Sequence, residues 1–177
     1  MLRKNNENIN GMLHIGGVSV GSLIEKYRTP LYIYDEKLIK NTARAFKDNF
    51  KSDIFDAEIS YASKAGSNLY LLGLLKNEDL YLDTVSMGEI YIGLKAGFNP
   101  KKIHLHGNNK PRDELVFAIE KNIGTIIIDS YEEFIFLENI LREKNSQMDC
   151  LLRVSPDVKT STHKYIQTSN ADFKFGI

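Results

Sequence analysis

The chain has 177 residues, of which 42% are hydrophobic and 26% are charged, an ordinary composition for a globular protein. Lysine plus arginine and aspartate plus glutamate each number 23, so the formal net charge is zero. Because no long run of like charge occurs, the sequence favours neither a nucleic-acid partner nor binding to an anionic membrane. A small molecule, which can include a phosphorylated one, is the expected partner.

The single cysteine, Cys150, excludes an internal disulfide bond. It lies in the apolar run 148–152, which predicts a strand with a buried thiol. The polar residues 1–7 lack the apolar segment of a signal peptide, and no apolar stretch approaches the roughly 20 residues that span a bilayer. We therefore expect a cytoplasmic protein that does not enter a membrane.

The N-terminal part of the chain differs in pattern from the remainder. Residues 12–20 predict a strand with a turn at Gly16 and Gly17, outside any strand-helix rhythm. We assign residues 1–30 to a β domain that is mostly missing from this chain, and residues 31–177 to a second domain. The second domain begins with a helix whose predicted apolar face is formed by Ile39, Thr42, Ala43, Phe46 and Phe50.

A regular series of strands and helices begins near residue 57. Its β-type runs start near Ala57, Leu80, Lys102, Thr125 and Asp149, at successive spacings of 23, 22, 23 and 24 residues. Most of these runs are apolar throughout, which is typical of parallel strands buried on both faces. Possible capping boxes at residues 86–89 and 130–133 predict helix starts between them.

Repeated strand-helix units form either an open doubly wound sheet or a closed barrel. A (β/α)₈ barrel has eight strands, and the series in this sequence has five. If the fold is a barrel, the chain is expected to hold only its first part.

Each predicted strand ends in a polar or ionisable residue. In parallel sheets these ends lie at one rim, where active sites are usually found. The residues are Lys64, Asp83, His106 with Asn108, Asp129 and Arg153. They predict a lined pocket, in which a partly desolvated Lys64 would offer an amine to an aldehyde. Considered alone, Lys64 fits a solvated surface lysine better, because most lysines at strand ends are solvated surface charges.

Other site types are less well supported. His104 and His106 lie two residues apart on a predicted strand, a spacing that points both rings to one face. Two histidines without a cysteine partner still make a poor zinc site, so we predict no metal. Neither a G-x-G-x-x-G loop nor a Walker A motif is present.

Six segments, in order, resemble a known family. They are 29–35 (TPLYIYD), 61–65 (YASKA), 83–89 (DTVSMGE), 106–110 (HGNNK), 152–156 (LRVSP), and 162–168 with 174–176 (THKYIQT and KFG). Together they are similar to motifs of fold-type III decarboxylases that depend on pyridoxal phosphate. The last segment resembles the diaminopimelate branch of that family. The family pattern differs at Ser155, Gly66 and Ser169, which affects fine geometry rather than membership.

The resemblance implies the first part of an alanine racemase-like (β/α)₈ barrel with pyridoxal phosphate attached to Lys64. It further implies that Glu89 either caps its helix or takes part in the active site. Four residues would lie around the cofactor, and one in a mobile active-site loop would meet the substrate. These are Asp83, His106, Asn108 and Arg153 around the cofactor, and His163 in the loop.

The implied reaction is decarboxylation of meso-2,6-diaminopimelate to L-lysine by a homodimer. The alternatives are a related decarboxylase of arginine, ornithine or carboxynorspermidine, and a homologue that binds pyridoxal phosphate without catalysis. The family's phosphate loop and proton donor would lie beyond residue 177. We therefore expect this chain to be inactive by itself.

Overall fold

The protein is described by a computed structural model that covers residues 6–155 and 176–177. These residues form two compact units, of which the first ends at Ile59 and the second begins at Ser60. The predicted domain boundary between residues 30 and 31 remains a prediction, because the division into two units reflects only how compactly the residues pack.

The first unit contains a small antiparallel sheet. Its strands are β1 (Asn6–Ile9), β2 (Met12–Ile15) and β3 (Val18–Ser19), in that spatial order. Two-residue turns join them, at Asn10-Gly11 and Gly16-Gly17, and all four turn residues have positive φ angles. Such turns match the twist of a hairpin, and glycine adopts positive φ without steric cost. The predicted strand and glycine turn are thus confirmed, although a helix already starts at residue 20.

Two helices complete the first unit, α1 (Val20–Tyr27) and α2 (Glu36–Asn49). The Asp35 side chain caps α2 by accepting a hydrogen bond from the amide of Leu38 at 2.9 Å. The predicted apolar face is only partly buried, because Ala43 is buried whereas Phe46 and Phe50 are 60% and 58% exposed. The spacing of apolar residues indicates which face of a helix favours burial. It does not show that the surface covering this face belongs to the described residues.

The second unit is the predicted parallel sheet. Its strands are β4 (Ser60–Ala62), β5 (Tyr81–Thr84), β6 (Ile103–Leu105), β7 (Thr125–Ile128) and β8 (Asp149–Leu152). The helices between them are α3 (Leu69–Asn77), α4 (Met87–Lys95), α5 (Arg112–Glu120) and α6 (Tyr131–Glu143). Each strand pairs with the next along the chain. This order is that of a barrel wall, whereas a doubly wound sheet reverses direction at a switch point.

The core lies on the central strands. Leu82, Leu105 and Ile126 are completely buried, whereas all four residues of β8 are exposed. The expectation of a buried Cys150 thiol is therefore wrong. Among the described residues, Cys150 lies on the strand at the edge of the sheet, and an apolar run does not reveal whether its strand is central or at an edge.

Candidate active site

The five strand ends bring the predicted polar residues to one edge of the sheet. Lys64 lies in a 3₁₀ turn, Ser63–Ala65, directly after β4, and Asp83 lies on β5. Residue 62 pairs in register with Asp83, which in turn pairs with His104 on β6. His106 and Arg153 follow the ends of β6 and β8. The common edge predicted from the strand spacing is therefore present.

A fixed turn carries Lys64. The amide of Gly66 donates to the Ser63 carbonyl at 2.9 Å, and the Ser67 hydroxyl donates to the same oxygen at 3.1 Å. The Tyr61 hydroxyl donates to the Gly66 carbonyl at 3.1 Å. Lys64 itself is exposed. The backbone is thus held while the amine is accessible to a ligand.

A buried serine links this turn to the next strand-helix unit. Ser63 is fully buried, and its hydroxyl donates to the Glu89 carboxylate. The same carboxylate oxygen accepts a hydrogen bond from the amide of Val85 at 2.8 Å. Glu89 thereby connects the residue before Lys64 to the end of β5, and a change at Glu89 is transmitted directly to the turn.

The predicted capping box at residues 86–89 is half confirmed. The Ser86 hydroxyl accepts from the amide of Glu89 at 3.3 Å, as an N-cap residue does. The Glu89 carboxylate bonds to Val85 and Ser63 rather than returning to the amide of Ser86. The sequence pattern therefore located the helix start correctly and left the acceptor role of Glu89 toward Ser63 undetected.

Burial raises the pKa of the Asp83 carboxyl, and the negative charge of Glu89 raises it further. Coulombic interactions with His106, His104 and Lys64 act in the opposite direction, but burial has the larger effect. The carboxyl therefore holds its proton to higher pH than an exposed aspartate does.

Burial also has the larger effect at His106, where it lowers the pKa of the imidazole. Asp83 opposes this lowering, and Arg153 and Lys110 reinforce it. Since an imidazole with a lowered pKa is neutral near pH 7, His106 is suited to hydrogen bonding rather than to holding a fixed charge. Asp83 and His106 thus form one electrostatic cluster with Lys64 and Arg153.

The raised pKa of Asp83 predicts a pH-dependent stability difference. Between pH 3.8, the ordinary value for aspartate, and the raised value, the unfolded chain loses this proton before the folded protein does. The contribution of Asp83 to the free energy of unfolding therefore falls as pH rises through this interval and is level above it. We expect Asp83→Asn to gain stability relative to the unaltered protein over the same interval. Urea unfolding of the cofactor-free, full-length protein at several pH values measures the difference.

The control for this prediction is Asp113→Asn, which removes an exposed carboxylate at the start of α5. It separates the buried position of Asp83 from the general loss of one negative charge. A stability difference for Asp83→Asn that did not vary with pH would contradict the prediction.

Arg153 is held from one side by a buried carboxylate. Its guanidinium donates to Asp129 at 2.9 Å, and Asp129 is buried directly after β7. The Arg153 amide donates to the carbonyl of Ile128 at 2.9 Å, and its carbonyl accepts from the amide of Ile177 at 2.8 Å. Both the backbone and the side chain of Arg153 are therefore fixed at the rim.

The other predicted site residues lie in different settings. Asn108 is exposed in the loop after β6, and His163 lies outside the described residues. His104 and His106 are not on one strand, because β6 ends at Leu105, and the His104 ring packs against Tyr81 with centroids 5.4 Å apart. Within the described ranges, no three histidine, cysteine, aspartate or glutamate side chains cluster as metal ligands.

Lys110 and Glu133 were missed as parts of the site framework. Both are buried, and the Lys110 amine contacts the Glu133 carboxylate. The available signals were a lysine that closes the HGNNK segment and a glutamate in the second capping box. Neither signal indicates that the two side chains meet, since they are 23 residues apart.

The arrangement suits a cofactor that carries an aldehyde. Lys64 provides an exposed primary amine on a fixed turn, and the half-buried carboxyl of Asp83 lies within electrostatic range of it. The neutral imidazole of His106 interacts with that carboxyl in turn. A primary amine condenses with an aldehyde, and a nearby proton donor or acceptor assists that step.

Comparison with known proteins agrees with this chemistry. Residues 36–177 match the model of the pyridoxal-dependent decarboxylase, pyridoxal binding domain. The chain belongs to this family. It is 46% identical over 170 residues to the diaminopimelate decarboxylase of Bacillus subtilis (strain 168), with 96% of this chain and 39% of that protein covered. The diaminopimelate decarboxylase of Staphylococcus aureus (strain COL) is 44% identical, with 96% and 40% covered.

Solved structures share the fold. The diaminopimelate decarboxylase from M. jannaschii in complex with L-lysine is 32% identical and has a TM-score of 0.90. The match covers 100% of this chain and 42% of that one. The Helicobacter pylori enzyme complexed with L-lysine is 34% identical, with a TM-score of 0.82 and coverage of 88% and 39%. These matches confirm the predicted fold, part of an alanine racemase-like (β/α)₈ barrel.

The chain spans about two fifths of the length of the curated relatives that it matches. Among the helices of the described residues, none has the length and apolarity required to cross a membrane.

Proposed function

We propose that the full-length protein decarboxylates meso-2,6-diaminopimelate to L-lysine, with pyridoxal phosphate attached to Lys64. The observation that carries the proposal is the exposed Lys64 amine on a fixed turn, at the strand edge that also holds Asp83 and Arg153. Family membership supports the cofactor, and the relatives named diaminopimelate decarboxylase support the substrate. When bound, pyridoxal phosphate supplies an electron sink for the electron pair that is left behind when carbon dioxide departs.

The residues of this chain bind and orient within that reaction. Lys64 provides the amine for attachment, and Asp83 keeps a protonatable carboxyl beside it because burial raises its pKa. Arg153, fixed by Asp129, presents a cation at the far side of the rim. His106 and Asn108 belong to the loop after β6, which lies between these strand ends. We extend the proposal to His163 as a residue that contacts the substrate.

Product analysis with the full-length protein tests the proposal. The protein is first loaded with pyridoxal phosphate. It is then incubated with meso-diaminopimelate, ornithine or arginine in separate reactions, and the products are identified by mass spectrometry. We expect L-lysine and carbon dioxide from meso-diaminopimelate alone. Putrescine or agmatine would indicate a related decarboxylase. Cofactor attachment without any product would indicate a homologue that does not catalyse.

Two further parts of the proposal rest on the family resemblance. We propose that the full-length protein is a homodimer and acts in the cytoplasm. The described residues include an exposed edge strand, β8, and the exposed apolar residues Phe46 and Phe50, which are compatible with additional protein packing against them. Analytical ultracentrifugation of the full-length protein is expected to give the mass of a dimer.

A further inference from the structure

Lys110 is a buried lysine whose donors are all used. Its side chain is 1% exposed, and the amine donates to the Gly107 carbonyl at 2.6 Å and to the Ile127 carbonyl at 2.8 Å. Its third donor goes to the carboxylate of Glu133 on α6, whose side chain is 7% exposed. One side chain therefore joins the loop after β6 to the end of β7 and the first turn of α6.

The connection continues to Arg153. The second oxygen of the Glu133 carboxylate accepts from the amide of Asp129 at 3.4 Å, and the carboxylate of Asp129 accepts from Arg153 at 2.9 Å. We call these four residues, Lys110, Glu133, Asp129 and Arg153, the Lys110 network. It connects the ends of three consecutive strands, β6, β7 and β8.

Stability alone does not generally require a buried ion pair. A buried pair loses hydration on folding, and well-packed apolar residues often replace one without loss of stability. What this pair adds is the orientation of the backbone around it, because hydrogen bonds are directional. Lys110 donates to the carbonyl of Gly107, and Glu133 accepts from the amide of Asp129. Gly107 has a φ of 103° and directly follows His106, so the tethered carbonyl sets where the loop leaves the strand.

We infer that Lys110 and Glu133 are positioning residues of the site. They fix the loop that carries His106 and Asn108, and through Asp129 they hold Arg153 in its orientation. The inference rests on the proposed attachment of pyridoxal phosphate at Lys64. Neither residue is expected to touch the cofactor, because both side chains are buried beneath the rim.

The test uses the full-length protein with Lys110→Met and Glu133→Leu combined, so that no charge is left buried without a partner. The matched control combines Arg112→Met and Glu143→Leu, which removes an exposed ion pair between α5 and α6. Four quantities are measured: the melting temperature, hydrogen exchange of the 106–109 segment without cofactor, the dissociation constant of pyridoxal phosphate, and borohydride-stable attachment to Lys64.

We expect the double variant to melt near the temperature of the unaltered protein, to exchange faster at residues 106–109, and to retain attachment at Lys64. We expect its cofactor dissociation constant to rise by about tenfold to a hundredfold, the loss that is typical at metal sites when residues that orient the binding groups are changed. The control is expected to change none of these quantities.

Two results would overturn the inference alone: an unchanged dissociation constant of pyridoxal phosphate in the double variant, or unchanged hydrogen exchange at residues 106–109. In both cases the unaltered protein would still attach the cofactor. Failure of the unaltered protein to attach pyridoxal phosphate would overturn the proposed function, and the positioning role with it.

Discussion

Replacing Lys64 with alanine in the full-length protein is expected to abolish attachment of pyridoxal phosphate that survives borohydride reduction. The alanine side chain has no amine to condense with the aldehyde, and the turn around it is held by Ser63, Gly66 and Tyr61 independently of the Lys64 side chain. The fold should therefore persist. We expect the decarboxylation rate to fall by about 10⁴-fold or more, as is typical when a residue that forms a covalent bond is removed.

Absorbance of the bound cofactor and mass spectrometry of the reduced protein measure attachment. The matched control is Lys95→Ala, which removes an exposed lysine from the last turn of α4. Its attachment and rate should equal those of the unaltered protein. Reduced cofactor found on the Lys64→Ala protein at another lysine, with activity retained, would contradict the assignment of Lys64.

Of the substitutions proposed for this protein, Lys110→Met by itself is expected to lower the free energy of unfolding the most. In Lys110→Met the Glu133 carboxylate stays buried without its cation, and the carbonyls of Gly107 and Ile127 lose a donor. Breaking a buried pair on one side costs about 3–5 kcal/mol of the free energy of unfolding. Adding Glu133→Leu should recover most of this loss, because the uncompensated charge is then gone.

Urea unfolding of the full-length protein measures both changes. Arg112→Met is the control, since its partner Glu143 is exposed and such surface pairs contribute about 0–1 kcal/mol. A loss below about 1 kcal/mol in Lys110→Met would show that Glu133 is not buried as a charged group. A loss that Glu133→Leu fails to recover would show that the two side chains do not act together.

Much of the second unit could be predicted because its pattern is local. A recurring period of 22 to 24 residues between apolar runs specified the strands, and their apolar composition indicated a parallel sheet. Four predicted starts lie within one residue of the observed strands, whereas the strand expected near Ala57 begins at Ser60.

The common edge of Lys64, Asp83, His106 and Arg153 also followed from the sequence. In a parallel sheet with consecutive neighbours, the C-terminal ends of all strands must face one way. The family motifs then singled out Lys64 as the expected attachment point, which the strand pattern by itself did not do. The chemistry of the rim was thus accessible from local order and residue type.

Only the tertiary structure decided which side chains meet across the strand-helix units. The hydrogen bond from Ser63 to Glu89 and the pair between Lys110 and Glu133 join residues 26 and 23 positions apart. A local pattern assigns a residue to a helix start or a loop, but such a contact depends on how two separate elements pack. The exposure of Cys150 and Phe46 was undetermined for the same reason, because burial is set by neighbours from elsewhere in the fold. The sequence determined the elements and the rim, and packing determined how its charges are held.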